Sequence, residues 1–107
     1  EIVPESGEFG YNERYKPGQT NYYVPARLES TVLEEAARIA LIAHRSLGLS
    51  QLSRVDFMVD ESGKPWFLEV NVTPGMTETS LLPQAVLAEG LELSDTYLAL
   101  ARLATKN

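Results

Sequence analysis

The chain has 107 residues, of which 44% are hydrophobic and 22% charged, with a formal charge of −6 at pH 7. This length and composition predict one folded domain or part of one, with enough apolar residues to bury a core. The nine Lys and Arg residues form no run, which argues against a nucleic-acid-binding surface. The absence of cysteine excludes disulfides and thiolate metal sites and favours a cytoplasmic protein. No apolar segment is long enough to suggest a membrane span.

Residues 1–25 predict a short strand that leads into a long loop. The sequence begins with strand-like EIVP, without an initiator methionine, and we interpret it as a piece of a longer protein. Gly, Pro, Tyr and polar residues follow, with neither a helical period nor a sustained strand period. Loops longer than about 12 to 15 residues are usually functional or disordered. The aromatic content favours a functional lid.

A helix is predicted next, in STVLEEAARIALIAHRSLGL. Thr31 and Glu34 have the spacing of a capping box, apolar residues recur with a helical period, and Gly48 supplies a stop signal. His44, near the end of this helix, is interpreted as a surface residue that complements the helix dipole.

Two strands and two further helices complete the predicted order. The strands are residues 52–60 and 65–72, joined by ESGK, whose Ser-Gly centre is typical of a hairpin turn. The tail predicts two short helices that are separated at Gly90, the second capped by Ser94. The order of lid, helix, hairpin, loop and helices predicts an α+β fold.

The predicted hairpin has one face that carries charged side chains. Side chains alternate between the two faces of a strand. On the polar face we expect Arg54, Asp56, Met58 and Asp60 from the first strand, and Phe67, Glu69 and Asn71 from the second. A turn centred on Ser62-Gly63 pairs Asp56 with Glu69 and Arg54 with Asn71, in a register that continues unbroken to the turn.

Facing carboxylates in this hairpin require a compensating charge. At ~5 Å and an effective dielectric constant near 20, two like charges repel by roughly 3 kcal/mol. Two carboxylates and an amide oxygen are hard ligands, and they suit an open Mg²⁺ or Mn²⁺ site that also binds water and phosphate. The alternative is a solvated sheet edge at which Arg54 neutralises one carboxylate. A calcium-binding EF-hand loop is disfavoured, because Met58 would occupy its first ligand position.

The segment NVTPGMTETSLLPQ leads from the polar face to a predicted helix start near Thr79 or Ser80. A helix N-terminus offers unpaired backbone amides and the positive end of the dipole, which suit a carboxylate or a phosphate. The alternative is a simple strand-to-helix turn with an N-cap. The position beside the predicted metal site favours a binding role.

RVDFMVD and FLEVNVTPGMTETSLLPQ resemble the C-terminal part of the D-alanine:D-alanine ligase family, whose members are ATP-grasp enzymes. The upstream EIVPESGEFGYNERYKPGQTNYYVPARL resembles the ω-loop region of the same family. The resemblance covers nearly the whole chain. It implies the C-terminal part of an ATP-grasp domain, in which helices pack on an antiparallel hairpin sheet. Residues 1–25 would be a strand end and the ω-type lid, and residues 26–107 the remainder.

The resemblance implies a nucleotide and metal site on the hairpin. Asp56, Glu69 and Asn71 would hold two Mg²⁺ or Mn²⁺ ions against the phosphates of ATP, and Met58 would pack against adenine. Arg14 stands where the family more usually has a phosphate-contacting lysine. Both residues are cations, but they differ in hydrogen-bonding geometry.

The resemblance also implies the groups that act on the amino acids. The carboxylate of one D-alanine is phosphorylated, and the amine of a second attacks the acyl phosphate. Arg54 and the Gly75 amide would stabilise the oxyanion. Ser80 and the Leu81 amide would hold the carboxylate of the second D-alanine. Tyr15 would help to select D-alanine as second substrate and close the site.

The implied function is ATP-dependent formation of D-alanyl-D-alanine for peptidoglycan precursor synthesis in the cytoplasm. The implied partners are D-alanine, ATP, the N-terminal part of the same protein and a second copy, with no nucleic acid and no membrane. The family's substrate domain, ATP-gripping lysines and adenine hinge are absent from these residues, so we expect no turnover by this chain alone. The alternatives are a ligase that uses D-lactate or D-serine, another ATP-grasp carboxylate-amine ligase, or a non-catalytic metal-binding or interaction domain.

Overall fold

The computed structural model describes residues 1–8, 10–12 and 16–106. Its elements, in chain order, are β1 (Ile2–Pro4), β2 (Thr20–Tyr22), α1 (Ser30–Ser46), β3 (Arg54–Val59), β4 (Pro65–Asn71), α2 (Leu81–Ala88) and α3 (Leu93–Ala104). The strands form two antiparallel pairs, β1 with β2 and β3 with β4, and α1 packs on the second pair. The predicted α+β arrangement is confirmed. Arg14 and Tyr15 lie outside the described residues.

The two ends of the segment between β1 and β2 are held together, because β2 returns to pair with β1. The Glu1 carboxylate accepts hydrogen bonds from Arg27 Nε at 3.0 Å and Nη2 at 2.7 Å, and the Arg27 guanidinium lies 3.7 Å from the centre of the Tyr23 ring. These hydrogen bonds lower the pKa of Glu1 to about 2. The sequence did not predict β2, since three residues are too few to show a strand period.

Helix α1 was predicted correctly in extent, but not in its N-terminal cap. The N-cap residue is Glu29, and no side chain caps the helix, so the predicted capping box at Thr31 is wrong. The C-terminal signal is confirmed. Gly48 has a φ of +64°, and its amide donates to the Arg45 carbonyl while the Leu49 amide donates to the His44 carbonyl. This pattern of bonds after a left-handed residue satisfies carbonyls that the helix leaves unpaired.

The C-terminal helices also begin without side-chain caps. The break near Gly90 is confirmed, since α2 ends at Ala88 and α3 begins at Leu93. The N-cap of α3 is Glu92, which makes no side-chain capping bond, so the predicted cap by Ser94 is wrong. Among the described residues, no helix is both long and apolar enough to cross a membrane.

The β3–β4 turn contains three residues, not the two or four that the sequence predicted. The Asp60 amide donates to the Lys64 carbonyl, and the Gly63 amide donates to the Asp60 carbonyl. Gly63 has a φ of +83°, and a Cβ at this position would lie 3.2 Å from Val32 of α1. A type I turn followed by a left-handed residue is a common three-residue hairpin connection. Glycine suits this position, because an added side chain would be strained and would crowd α1.

A β-bulge in β4 compensates for the register shift that the three-residue turn causes. Near the turn, Val59 pairs with Pro65 and Met58 with Trp66, whereas past Leu68 the pairing places Asp56 opposite Glu69. Leu68 is therefore the extra residue in β4. The bulge moves side chains relative to the predicted faces, since facing residues share a face of a sheet.

Two aromatic residues consequently lie on the faces opposite to those predicted. Phe67 faces Phe57, and the two rings meet edge to face with centres 6.3 Å apart. Trp66 faces Met58 on the side that carries Asp56. The prediction that Phe67 shares the face of Glu69, with Trp66 on the other side, is wrong because it assumed an unbroken alternation.

Asp60 holds the turn together through four hydrogen bonds. Its Oδ1 accepts from the Ser62 amide at 2.9 Å, the Ser62 hydroxyl at 2.6 Å and the Lys64 amide at 3.0 Å. Its Oδ2 accepts from Trp66 Nε1 at 3.0 Å, and the Lys64 ammonium lies 3.9 Å from the centre of the Trp66 ring. The donors, with the Ser62 hydroxyl first, hold the pKa of Asp60 well below its usual range.

We expect Asp60 to contribute a pH-dependent part of the stability of the protein. Because its folded-state pKa is lowered, the contribution is complete above the ordinary Asp pKa of about 4 and is lost as the pH falls through the lower, folded value. A carboxyl-carbon NMR titration of the full-length protein should give a midpoint below the ordinary value. Ser62→Ala, which removes the leading donor, should raise the midpoint. An ordinary midpoint in the parent protein would contradict this account.

Much apolar surface remains uncovered in this chain. The accessible area is 7938 Å², whereas a folded monomer of 11.8 kDa would expose roughly 5,900 Å². Among the described residues, Pro74, Pro83 and Val86 are buried. Exposed apolar side chains occur on the hairpin and on the helices, and include Leu41, Ile42, Leu68, Leu87 and Leu98.

Candidate functional site

The β3–β4 register brings together the four polar residues that the sequence singled out in this hairpin. Asp56 pairs with Glu69, and Arg54 pairs with Asn71. Side chains two residues apart on one strand share a face, so the two pairs lie next to each other on the same side. The predicted pairing is therefore confirmed, and it is made possible by the bulge at Leu68.

Arg54 supplies positive charge beside the facing carboxylates. Its Nε donates to Asp56 Oδ1 at 2.8 Å, and its Nη2 donates to Asp56 Oδ2 at 2.9 Å. The two side chains are 24% and 29% exposed, so this bidentate pair is less screened by water than a surface ion pair. The hydrogen bonds to Asp56 raise the pKa of Arg54, and the charge of Glu69 raises it further.

Asn71 is oriented by its own backbone. Its Oδ1 accepts a hydrogen bond from the Thr73 amide at 2.9 Å, which fixes the amide oxygen at the end of β4, where the chain leaves the sheet. An amide oxygen has two lone pairs, so one remains for a further partner. The same hydrogen bond, from the Thr73 amide to Asn71, lies at the start of the loop that follows β4.

The donor set fits a hard divalent cation. Each ionised carboxylate has about four lone-pair sites, and Arg54 uses two of those on Asp56. No group of three or more His, Cys, Asp and Glu side chains able to hold a metal occurs within residues 1–8, 10–12 and 16–106. The Asp56 and Glu69 carboxylates and the Asn71 amide oxygen are hard ligands, which could serve an open Mg²⁺ site that keeps water or phosphate as its other ligands.

Apolar side chains are exposed on the same face as the carboxylates. Met58 is 64% exposed and Trp66 is 52% exposed, and the two residues are cross-strand neighbours. Trp66 cannot turn freely, because its Nε1 is bonded to Asp60. The face thus has a charged part at the Asp56–Glu69 end and an apolar part towards the turn. The sequence predicted Met58 in this position but not Trp66.

Ser80 directs its side chain back into the loop and not onto α2. It is the N-cap residue of α2, yet it makes no side-chain capping bond. Its Oγ instead accepts from the Thr77 amide at 3.1 Å and lies 2.8 Å from the Thr77 hydroxyl oxygen, while the Ser80 amide donates to the Thr77 carbonyl at 2.9 Å. If Thr77 also donates its hydroxyl hydrogen, both lone pairs of Ser80 Oγ are used and its own hydrogen is left for an external acceptor.

Gly75 lies against Ser80 at a distance that no other residue allows without adjustment. A Cβ on Gly75 would be 2.6 Å from Ser80 Oγ and 3.3 Å from Ser80 Cβ. The backbone of Gly75 is not left-handed, so the requirement for glycine here is steric. Gly75 and Ser80 are therefore held close together in one compact loop, which leads to Leu81 at the start of α2.

Thr77 within the loop and Tyr97 of α3 support this loop, and neither was predicted from the sequence. The Tyr97 hydroxyl of α3 donates to the Met76 carbonyl at 3.1 Å. Thr77 could have been recognised, because a hydroxyl residue three positions before a predicted helix start is a local hydrogen-bonding signal. Nothing local predicts Tyr97, since its partner is 21 residues away in the sequence.

His44 is half-buried and packs beneath the start of β3. Its Nδ1 lies 2.8 Å from the Ser53 hydroxyl, and Ser53 directly precedes Arg54. The position in the last turn of α1 agrees with the predicted dipole role. The ring is only partly exposed, and its contact with Ser53 also connects α1 to the residue before β3.

The chain matches the family model described as "D-ala D-ala ligase C-terminus" over residues 1–100. The fold is therefore that of a ligase C-terminal domain, and the chain belongs to this family.

Three similar curated proteins carry the same name. A protein named D-alanine–D-alanine ligase from Magnetococcus marinus is 47% identical over 94 residues, which are 87% of this chain and 30% of that protein. The protein of the same name from Pelotomaculum thermopropionicum is 40% identical over 107 residues, which are 100% of this chain and 34% of that protein. One from Leptospira interrogans is 40% identical over 106 residues, 99% of this chain and 30% of that protein. The chain thus spans about a third of the length of these relatives.

Proposed function

We propose that this chain is the part of a D-alanine:D-alanine ligase that binds the metal ions and the second substrate. The whole protein would use ATP to join two D-alanines for peptidoglycan precursor synthesis. The observation that carries the proposal is the facing pair Asp56 and Glu69, with Arg54 bonded beside it, in a chain that belongs to this ligase family.

The hairpin residues would form the phosphate side of the site. Asp56, Glu69 and Asn71 would hold two Mg²⁺ or Mn²⁺ ions, and Met58 would pack against adenine in an ATP-grasp fold. When bound, the ions neutralise phosphate charge and polarise the transferring phosphoryl group. The role of the protein is mainly to position the reactants, since phosphoryl transfer requires little covalent chemistry from it.

The loop and Arg54 would act on the amino acids. The carboxylate of the first D-alanine takes the γ-phosphoryl group of ATP and releases ADP. The amine of the second D-alanine then attacks the acyl carbon, and phosphate leaves. Arg54 and the Gly75 amide are proposed to donate to the oxyanion of this tetrahedral intermediate. The Ser80 hydroxyl and the Leu81 amide are proposed to bind the carboxylate of the attacking D-alanine.

The rest of the protein would complete the site. The uncovered apolar surface of this chain supports contact with the other two thirds of the polypeptide, including an N-terminal substrate domain. Residues 1–25 are proposed to contain the ω-type lid, with Tyr15 contacting the second substrate and Arg14 a phosphate. We also propose a cytoplasmic homodimer, which rests on the family resemblance.

The test is ADP release by the full-length protein with ATP and Mg²⁺. Three reactions would be compared: no amino acid, D-alanine, and D-alanine with D-lactate. We expect release that requires D-alanine and yields D-alanyl-D-alanine, and no turnover by the 107-residue chain alone. A depsipeptide product would identify a ligase with another second substrate. Absence of D-alanine-dependent release would overturn the proposal and favour a non-catalytic domain.

A further inference from the structure

We propose that Tyr97 is a positioning residue for the second substrate, and that it acts through the backbone of the loop that carries Gly75 and Ser80. Its hydroxyl donates to the Met76 carbonyl at 3.1 Å. Met76 lies between Gly75, whose amide faces the oxyanion in the proposed function, and Thr77, which holds Ser80. The inference rests on that proposed function for the role of the loop, but the contact is independent of it.

The Tyr97 bond connects this loop to helix α3 at a second point, beyond the buried Pro74 near the start of the loop. The other hydrogen bonds described for this loop are short-range, from the Thr73 amide to Asn71 and between Thr77 and Ser80. They fix the shape of the loop, but they do not fix its position relative to the rest of the domain. Met76 itself is 45% exposed, so side-chain packing gives it little support. The Tyr97 hydroxyl supplies a fixed point in the middle of the loop.

Tyr97 is well placed to hold the Met76 carbonyl in position. It lies in the second turn of α3, and its side chain is half-buried. Helix α3 packs against α2, whose N-cap is Ser80. Thr77 follows Met76, which is bonded to α3, and Ser80 begins α2. Both residues are thus held by the same pair of helices. Loss of the Tyr97 hydroxyl would free the Met76 carbonyl and let Gly75 and Ser80 shift together.

The expected effect is specific to the second D-alanine. The carboxylate pair is held by the β3–β4 register and by Arg54, and it does not depend on α3. The Michaelis constant for the second D-alanine should therefore rise by about 3–10-fold when the Tyr97 hydrogen bond is removed. The Michaelis constants for ATP and the first D-alanine should stay within about twofold. The kcat for dipeptide formation should fall, because the Gly75 amide that is proposed to donate to the oxyanion shifts together with Ser80.

The experiment compares Tyr97→Phe with Thr96→Val in the full-length protein. Tyr97→Phe keeps the ring and removes the hydroxyl. Thr96→Val removes a hydroxyl from the adjacent residue of α3, where Thr96 Oγ1 donates to the Glu92 carbonyl at 2.9 Å. Both variants lose one hydroxyl-to-carbonyl bond in the same helix, but only the first bond reaches the loop. We expect the Michaelis constant for the second D-alanine to rise in Tyr97→Phe alone.

A second measurement does not need activity. Hydrogen exchange of the Ser80 amide, which donates to the Thr77 carbonyl, should become faster in Tyr97→Phe and remain unchanged in Thr96→Val. If the parent protein shows no D-alanine-dependent ADP release, the proposed function fails, and faster exchange would still support the anchoring of the loop. Unchanged exchange, an unchanged Michaelis constant in an active enzyme, or equal effects of both variants would overturn the inference.

Discussion

Replacing Glu69 by Gln in the full-length protein is expected to reduce turnover on the order of 10²–10³-fold, whereas Glu61→Gln should leave it within about twofold. Gln keeps the size and one oxygen of Glu69, but removes the negative charge that faces Asp56. Loss of a hard anionic ligand weakens the hold on a divalent cation and on its phosphates. Glu61 is an exposed residue of the hairpin turn and serves as the control.

The same variant should not lower stability. Glu69 faces and repels Asp56, but it also attracts Arg54, which bonds Asp56. Neutralising Glu69 in the metal-free hairpin therefore removes two opposing interactions that largely offset each other. The urea midpoint of Glu69→Gln without Mg²⁺ should stay close to that of the parent protein. Initial rates of ADP release at saturating ATP and D-alanine give the activity. Equal losses in Glu69→Gln and Glu61→Gln, or a loss that follows unfolding, would refute the assignment.

The β3–β4 hairpin shows what a local sequence pattern can predict and what it cannot. The register inferred from a turn centred on Ser62-Gly63 correctly predicted that Asp56 faces Glu69. The predicted turn was wrong, however, and the bulge at Leu68 compensates for it. A three-residue turn shifts the register by one residue, and one extra residue in β4 shifts it back. The alternation rule fails for Phe67 and Trp66 because they lie between the two irregularities.

The residues of the candidate site also differ in whether the sequence could predict their positions. Residues on regular strands could be placed from the sequence, since period and register fix their neighbours. The loop anchors could not, because the bond between Tyr97 and Met76 depends on how α3 packs. The N-terminal caps of α1 and α3 were also wrongly predicted. Glu29 and Glu92 occupy the N-cap positions without a capping bond, so tertiary packing and not local capping determines where these helices begin.

The composition correctly indicated a chain rich in apolar residues, but it did not show which residues would cover them. Counting residues says how much surface could be buried, but not whether the covering partner is within the same 107 residues. Leu41 and Leu98 are exposed here, although both fall at apolar positions of predicted helices. Since the relatives are about three times as long as the matched region, we expect these faces to be covered in the whole protein.

Gly75→Ala is expected to lower the free energy of unfolding of the full-length protein by about 1–3 kcal/mol and to reduce dipeptide synthesis by more than about tenfold. The added methyl group would lie 2.6 Å from Ser80 Oγ and 3.3 Å from Ser80 Cβ. Ser80 cannot rotate away freely, because its Oγ is bonded to Thr77. The loop must therefore open, which displaces the Gly75 amide and the Ser80 hydroxyl together. Urea unfolding and the rate of dipeptide formation measure the two losses.

A double-mutant cycle with Ser80→Ala locates the cause of the destabilisation. Ser80→Ala removes the oxygen that the new methyl group would meet first, and leaves only the looser contact with Cβ. If the clash is the cause, Gly75→Ala should cost less in the Ser80→Ala background, with a coupling energy of about 1 kcal/mol or more. Dipeptide synthesis should stay low in the double variant, because the hydroxyl proposed to bind the second D-alanine is gone. Equal costs of Gly75→Ala in both backgrounds would mean that steric conflict with Ser80 is not what makes glycine necessary at this position.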